Sequence, residues 1–423
     1  MNPKIKWLRD KIRLSNMDGI IISNPVNIKY LTGINAEGTL LVTRKENYYI
    51  TDSRYIEYAK SVITINDGII VYNMSDISRE DYENFFLFCD KVGFEENYVT
   101  YFMYKLYMQR YKINNLEETE NIIEKQRMIK DEEEIGYIEK ACKITDACFS
   151  HLLNFIKIGM TEKEIAFEIE KFFIQNGADG VAFETIVASG KNSSKPHAVP
   201  TSKKIEAGDA ITIDMGCKYK GYCSDMTRTI FAGYIPVKIR EIYDLVLKNQ
   251  IQALKEMYDG ANAKIAARNV KNDFKLHNYD LVHSLGHGVG LDIHETPFIS
   301  DIRDWTLKEN MVVTDEPGIY LTGTYGVRIE DTVLITKSGC ITLTKSDKNY
   351  IIVDEQDITQ IKEIQQEENE ASLKKLDEIE KQIAIKERRF EDVKKQFDVY
   401  KAKMESLLIS QEELILKLMK MVN

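Results

Sequence analysis

The sequence predicts an α+β protein in three parts: a small mixed α/β domain over residues 1–120, a larger domain of long helices and Gly-rich strands over 121–356, and a helical tail over 357–423. Three observations predict it. Up to about residue 120, short apolar runs of strand length alternate with amphipathic ones. From about 121 the helical runs lengthen and are followed by strands set off by turn residues. Beyond about 357 the chain contains neither Gly nor Pro, and its apolar residues recur on a heptad.

In the first part, residues 4–14 read as a helix and 19–23 as a strand. Residues 39–43 and 48–51 flank the polar turn Arg44-Lys45-Glu46-Asn47, a hairpin signal. Residues 68–72 form another strand, and 79–90 and 101–111 form helices. In the second part, Ile135, Ile138, Ala141, Cys142, Thr145, Phe149 and Leu152 recur at helical spacing within 131–157. The next helix opens on Thr161 with Glu164 three residues on, a capping box, and closes at Asn176-Gly177. A helix over 238–258 interrupts the strands that follow.

In the tail, Leu376, Ile379, Ile383, Phe390, Val393, Phe397, Tyr400, Met404, Leu407, Leu414, Leu418 and Met421 occupy a and d positions, and only Lys386 and Gln411 break the register. A lone helix of this length would leave its stripe in water, so the stripe must be covered. Three partners stay open: its own domain, a second copy in a coiled coil, or another protein.

Charge and composition exclude several classes. With 57 basic residues against 67 acidic ones, the net charge of −10 argues against a nucleic-acid partner. Apolar runs such as Ile20-Ile21-Ile22 fall far short of the ~18 residues of a membrane span. The six cysteines form no CxxC pair, and residues 1–14 lack the apolar core of a signal peptide. The expectation is a reduced, cytoplasmic chain.

Chemistry concentrates between His197 and Glu330. Asp214 and Asp225 flank a Lys218–Gly221 turn in a hairpin; a turn centred between Tyr219 and Lys220 sets the two carboxylates opposite each other. Two carboxylates so placed repel unless a proton or cation lies between them. His283, His287 and His294 fall within twelve residues of a Gly-rich extended segment. Glu316 precedes a Pro-Gly turn, and Glu330 stands within an apolar strand, where a carboxylate needs a partner. Arg328 or Lys337 would serve as an ordinary one. Taken together, two Asp, two Glu and a His, all on strands beside turns, suit two divalent cations sharing a water. No GxSxG elbow competes.

These segments resemble the pita-bread metallopeptidases, most closely the Xaa-Pro peptidases (aminopeptidase P and prolidase), over about residues 1–350. The resemblance implies a creatinase-like N-terminal domain, carried by Asn27–Gly33 and Thr51–Tyr55, and a pita-bread catalytic domain. It implies that Asp225 and Glu330 bridge two metals, that Asp214 completes one shell, and that His287 and Glu316 complete the other. Glu316 would also accept the proton of the attacking water. His197 would line the substrate pocket, His283 and His294 would contact the substrate carbonyl, and Arg328 would be the buried arginine beside Glu330.

The implied reaction is hydrolysis of the Xaa-Pro bond, in dipeptides or at the N-terminus of longer peptides, by a metal-bridging hydroxide. The carboxylate-rich set favours Mn(II), with cobalt or zinc fitting the same ligands. A homodimer or higher oligomer, formed through the tail, is the expected assembly. Two departures stand out. Asp315 replaces the usual apolar neighbour of Glu316, pointing either away from the site or into its charge balance. The tail lies outside the usual family chain. The rival readings are a non-enzymatic scaffold, which lost ligands would favour, and a metal hydrolase of a non-peptide amide.

Overall fold

The computed structural model describes residues 2–355 and 358–422. Contacts divide the chain into two compact units, Met1–Glu355 and Gln356–Asn423. The expected junction at 356/357 lies outside the described residues.

The first unit opens with the helix Pro3–Leu14, started by Asn2, whose side chain accepts from the N–H groups of Lys4 and Ile5, and by Pro3 at its first position. Its Ile5, Leu8 and Ile12 are fully buried on a six-stranded mixed sheet. The sheet order is Ile70–Asn73, Asn47–Thr51, Thr39–Thr43, Gly19–Ile22, Val92–Phe94 and Leu116–Glu118. The central strand Gly19–Ile22 is buried at every residue, as a strand covered on both faces must be.

The helix Ile56–Val62 and the strands Val92–Phe94 and Leu116–Glu118 add to the elements expected from the sequence, and two further stretches differ from it. Residues 25–32 form a helix, capped by Asn24 and ended by Gly33 at φ +78°. The helix expected over 79–90 stops at Asn84. There Phe86 turns into the core against Gly19, and the Asp18 carboxylate takes the N–H groups of Asp90 and Lys91, drawing the chain toward the next strand.

The remainder of this unit is built from two similar halves. In one, the helices Glu132–Phe155 and Glu162–Gln175 pack on a sheet ordered Ile352–Val353, Met226–Ala232, Ala210–Met215 and Ile186–Ser189. Phe149, Leu152, Ile165, Ile169 and Phe173 meet Val187, Ile211, Ile213 and Ile230 in its core. In the other, the helices Val237–Leu254 and Ala263–Leu276 pack on a five-stranded sheet that includes Gly286–Gly288, Val312–Asp315 and Asp331–Thr336. The helix Ala263–Leu276 was not expected, because its buried stripe of Ala263, Ala266, Ala267, Val270 and Phe274 is mostly alanine.

The two sheets are stitched where the backbone N–H of Glu330 donates to Thr227 O (3.0 Å) and Thr332 Oγ1 donates to Asp225 O (2.7 Å). The second unit is a single helix, Ile358–Val422, of 65 residues. Its heptad residues with described side chains stand open, Phe390 at 71% and Tyr400 at 69% exposure. Leu376 and Met421 lie outside the described side chains.

One buried acid organises the loop that carries His197. Glu162, fully buried at the first turn of its helix, accepts from Ser189 N (2.7 Å), Thr201 N (2.9 Å) and Thr201 Oγ1 (2.6 Å), and from Ser189 Oγ and Asn192 Nδ2. Burial raises its pKa, but these donors outweigh burial and hold it below the usual carboxylate range. Glu162→Ala would strand two backbone N–H groups. We expect it to lower unfolding free energy by about 3 kcal/mol, read as a drop in the urea midpoint. An unchanged midpoint would show that the loop is held by other contacts.

Candidate metal centre

The hairpin carrying the two aspartates folds with a different register from the one expected. Lys220 and Gly221 both have positive φ, at +52° and +84°, which makes them the two central residues of the turn. Tyr219 therefore faces Tyr222, and Asp214 faces Thr227. The turn is shifted by one residue, so Asp225 is a diagonal neighbour of Asp214, on the same face, and not directly opposite it. Asp225 precedes the strand Met226–Ala232, Glu316 lies between Val312–Asp315 and Gly318–Leu321, and Glu330 lies between Tyr325–Arg328 and Asp331–Thr336. Only Asp214 and His287 are inside strands. Strand ends leave the carboxylates aimed into the gap between sheets instead of into either helical core.

All nine residues singled out in the sequence line one cavity of about 430 Å³: His197, Asp214, Asp225, His283, His287, His294, Glu316, Arg328 and Glu330. Its floor is charged. His287 Nδ1 lies 3.1 Å from Gly288 O and must donate to it, which leaves Nε2 with a free lone pair. That Nε2 stands 3.5 Å from both Asp225 Oδ2 and Glu316 Oε1. Ligand atoms of Asp225, His287 and Glu330 all come within 4.8 Å of one another.

Burial, then the neighbouring Asp214 and Glu316 charges, push the Asp225 carboxyl well up. Burial and the Asp225 charge do the same to Glu330. Burial pushes Glu316 to about 8, with Arg328 opposing. The His287 and His283 imidazoles are lowered to about 4, chiefly by burial, so both are neutral bases at pH 7. Asp214 Oδ1 is buried with no hydrogen-bond partner among the described residues. An orphaned oxygen, a neutral imidazole with an outward lone pair, and acids that resist ionising side by side fit divalent cations bound to Asp214, Asp225, His287, Glu316 and Glu330.

Two residues the sequence reading passed over hold this set in place. Tyr320 Oη receives a hydrogen bond from Arg328 Nη1 (2.7 Å) and, because His283 Nδ1 donates to Ser284 O, gives its proton to His283 Nε2 (3.0 Å). Thr227 Oγ1 donates to Glu330 Oε2 (2.7 Å) and accepts from Arg328 Nε (3.0 Å). Arg328 completes its fork on Asp214 Oδ2 at 2.7 Å. The arginine thus pairs with Asp214, and Glu330 is partnered through Thr227. Tyr320 sits eight residues before Arg328 in a tight hairpin, a spacing that could have flagged it.

Asp315 points away from the cavity. Strand alternation turns it to the opposite side from Glu316, where it is fully buried opposite Asp331. Among the described residues neither of its oxygens has a hydrogen-bond partner, and burial followed by the Asp331 charge raises its pKa.

Residues 136–337 match the family model for metallopeptidase family M24, and residues 4–129 match that of the creatinase/prolidase N-terminal domain. The chain is 38% identical over 343 residues to a Xaa-Pro dipeptidase of Pyrococcus furiosus, covering 80% of this chain and 96% of that protein. It superposes with a TM-score of 0.78 on a Xaa-Pro dipeptidase from Bacillus anthracis, at 36% identity and covering 83% of this chain and 99% of that one. The X-Pro aminopeptidase of Thermotoga maritima superposes with a TM-score of 0.74 at 33% identity, covering 81% and 100%.

Two expectations follow from the electrostatics. Carboxyls with a raised folded pKa keep protons that the unfolded chain loses near pH 4, so their stabilisation fades as pH rises through the folded value. The two depressed histidines act in the opposite sense below about pH 6.5. With a chelator present, the melting temperature should therefore fall between pH 6.5 and 8, and added Mn(II) should raise it more at pH 8. A flat or rising profile would contradict the raised acids. Asp315→Val removes a buried carboxyl without a partner and should raise stability by about 1–3 kcal/mol. A lower melting temperature in that variant would mean the carboxyl has a compensating contact.

Proposed function

The chain belongs to metallopeptidase family M24, and from that premise we propose that it is a metal-dependent peptidase that hydrolyses the Xaa-Pro bond in dipeptides or at the N-terminus of longer peptides. The observation that carries this reading is the convergence of Asp214, Asp225, His287, Glu316 and Glu330 in one cavity whose lining also includes the apolar Phe183, Ile186, Val199, Pro200, Ile293 and Phe298. Those side chains suit a proline ring and a non-polar neighbour, with charge kept to the floor.

In this reading Asp225 and Glu330 would be shared by two cations, Asp214 would serve one of them, and His287 and Glu316 would serve the other, with Mn(II) the preferred ion. Two such cations, when bound, acidify a shared water and polarise the scissile carbonyl. Glu316 takes the proton of the attacking water and passes it to the departing amine. His197 lines the substrate pocket, and His294, at the more open side of the cavity, donates to the carbonyl oxygen as it gains charge, whereas His283, read with it from the sequence, has both ring nitrogens engaged by Ser284 O and Tyr320 Oη. His283 is held neutral and oriented by Tyr320, and Arg328 balances the acids while fixing Asp214.

The chain is organised as a creatinase-like domain over 1–120, a catalytic domain over 121–356 and the tail over 357–423, with two or more copies joined through the tail. Its six free cysteines, four of them buried, suit work in the cytoplasm. No helix among the described residues is long and apolar enough to cross a membrane.

The test is cleavage of a panel of Xaa-Pro dipeptides and tripeptides with and without Mn(II), beside Asp225→Asn. Cleavage should require metal. Removing one shared carboxylate should reduce kcat/KM by about a thousandfold, the several kcal/mol a metal's charge stabilisation supplies. The ratio of dipeptide to tripeptide rates reads the length preference. Metal binding without any Xaa-Pro cleavage would move the reaction to another amide. Failure to bind metal would leave a scaffold.

A further inference from the structure

Resting on the reading that two copies join through the tail, we propose that the helix Ile358–Val422 pairs with the same helix of a second copy in antiparallel orientation, with Lys386 opposite the partner's Gln411. The two breaks in the stripe carry the argument. In a parallel in-register pair every heptad residue meets its own copy, so Lys386 would face a second Lys386 across a dry layer, and Gln411 a second Gln411. Two ammonium groups a few ångströms apart in a water-poor seam repel strongly and lack an acceptor, because lysine only donates.

An antiparallel pair sets a positions against d positions instead. Gln411 is an a residue and Lys386 a d residue, so they can share a layer, where the glutamine carbonyl accepts from the ammonium.

The register that brings them together also fills the rest. Lys386 stands ten residues inside the Leu376 end of the stripe, and Gln411 ten residues inside the Met421 end. Aligning the two breaks therefore aligns the two ends of the stripe with no overhang. Every other layer is then apolar on both sides: Ile379 with the partner's Leu418, Ile383 with the partner's Leu414, Phe390 with the partner's Leu407, and Val393 with the partner's Met404. The exposed flanks do not decide orientation. The antiparallel pair sets Lys394 near the partner's Lys401, and a parallel pair would set Arg389 near the partner's Lys394 and Lys375 near the partner's Glu380. All of these are contacts at the surface, where salt screens them. The stripe from 376 to 421 is about 68 Å of helix at 1.5 Å per residue. Its large residues stand free in the single chain, among them Phe390, Phe397 and Leu414.

The experiment uses the full-length chain carrying Lys386→Cys or Gln411→Cys, oxidised separately and as an equal mixture, with parent chain as control. Light scattering of the parent should give a dimer. Disulfide-linked dimer should form in the mixture, with one chain of each kind, and not from Lys386→Cys alone. Val393→Cys mixed with Met404→Cys tests the same register at an apolar layer, should the polar substitutions weaken association. Linkage of Lys386→Cys to itself would overturn the antiparallel arrangement while leaving self-pairing intact. A monomeric parent chain would overturn both.

Discussion

The structure depends on holding four carboxylates in one desolvated cavity. Asp214, Asp225, Glu316 and Glu330 all face the same gap, and burial penalises the ionised forms of Asp225, Glu316 and Glu330 before the repulsion of neighbouring charges is added. What the protein supplies against this is limited and specific. Arg328 is the cation within contact, spent on Asp214. Thr227 spans Arg328 and Glu330, so that one hydroxyl links positive charge to a carboxylate it does not touch. The balance is left unfavourable for full ionisation, which is what gives divalent cations their purchase: binding them removes both the repulsion and the orphaned oxygen of Asp214.

The site is built between two sheets, with Asp214 and Asp225 supplied from one half and His287, Glu316 and Glu330 from the other. Each half therefore has its own apolar core, and the acids emerge at the ends of strands facing the other half. Behind the site a second buried ion network fixes the halves. Arg228 reaches Asp331 at 2.7 Å, Lys348 reaches the same carboxylate at 2.7 Å, and Gln250 and Thr344 complete its shell. The segment carrying His294 is anchored likewise, since the next residue, Glu295, is gripped by Arg127 (2.6 Å) and Lys130 (2.7 Å). Arg127 also donates to Asn27 of the N-terminal part at 2.9 Å, and Lys4 of that part reaches Glu134 at 2.8 Å.

The site was largely legible in the sequence because chemistry there overrides local preference. Each of Asp214, Asp225, Glu316 and Glu330 is ambiguous alone, and it was their grouping with three histidines in a Gly-rich segment, together with the family resemblance, that picked them out. What failed was geometry set by a single residue: the hairpin register followed from positive φ at Lys220 and Gly221, which a Lys-Tyr-Lys-Gly turn does not announce. Tyr320 and Thr227 were missed because a tyrosine and a threonine in strands are usual core and ladder residues, distinguished only by what lies across the gap. The helix Ala263–Leu276 was hidden by its alanine-rich face, and the short helix Arg79–Asn84 by tertiary demands on Phe86 and Asp18. The 65-residue tail helix was the easiest element to see, for want of any Gly or Pro.

The two units place their unmet demands in different currencies. In the first unit the unmet demand is charge: a cavity of acids whose desolvation is relieved by a bound cation, so that its stability rises with metal concentration. In the tail the unmet demand is apolar surface, with Phe390, Phe397, Tyr400 and their heptad neighbours open along one side of a helix. An isolated helix gains little from its own hydrogen bonds and draws its stability from packing, so a tail that pairs with its own copy would gain stability as chain concentration rises. The two breaks then acquire a function that apolar residues could not serve. A stripe of leucines throughout would pair in several registers and both orientations, whereas Lys386 and Gln411 exclude every arrangement in which either faces a hydrophobic layer. The polar layer weakens the seam slightly and makes it singular.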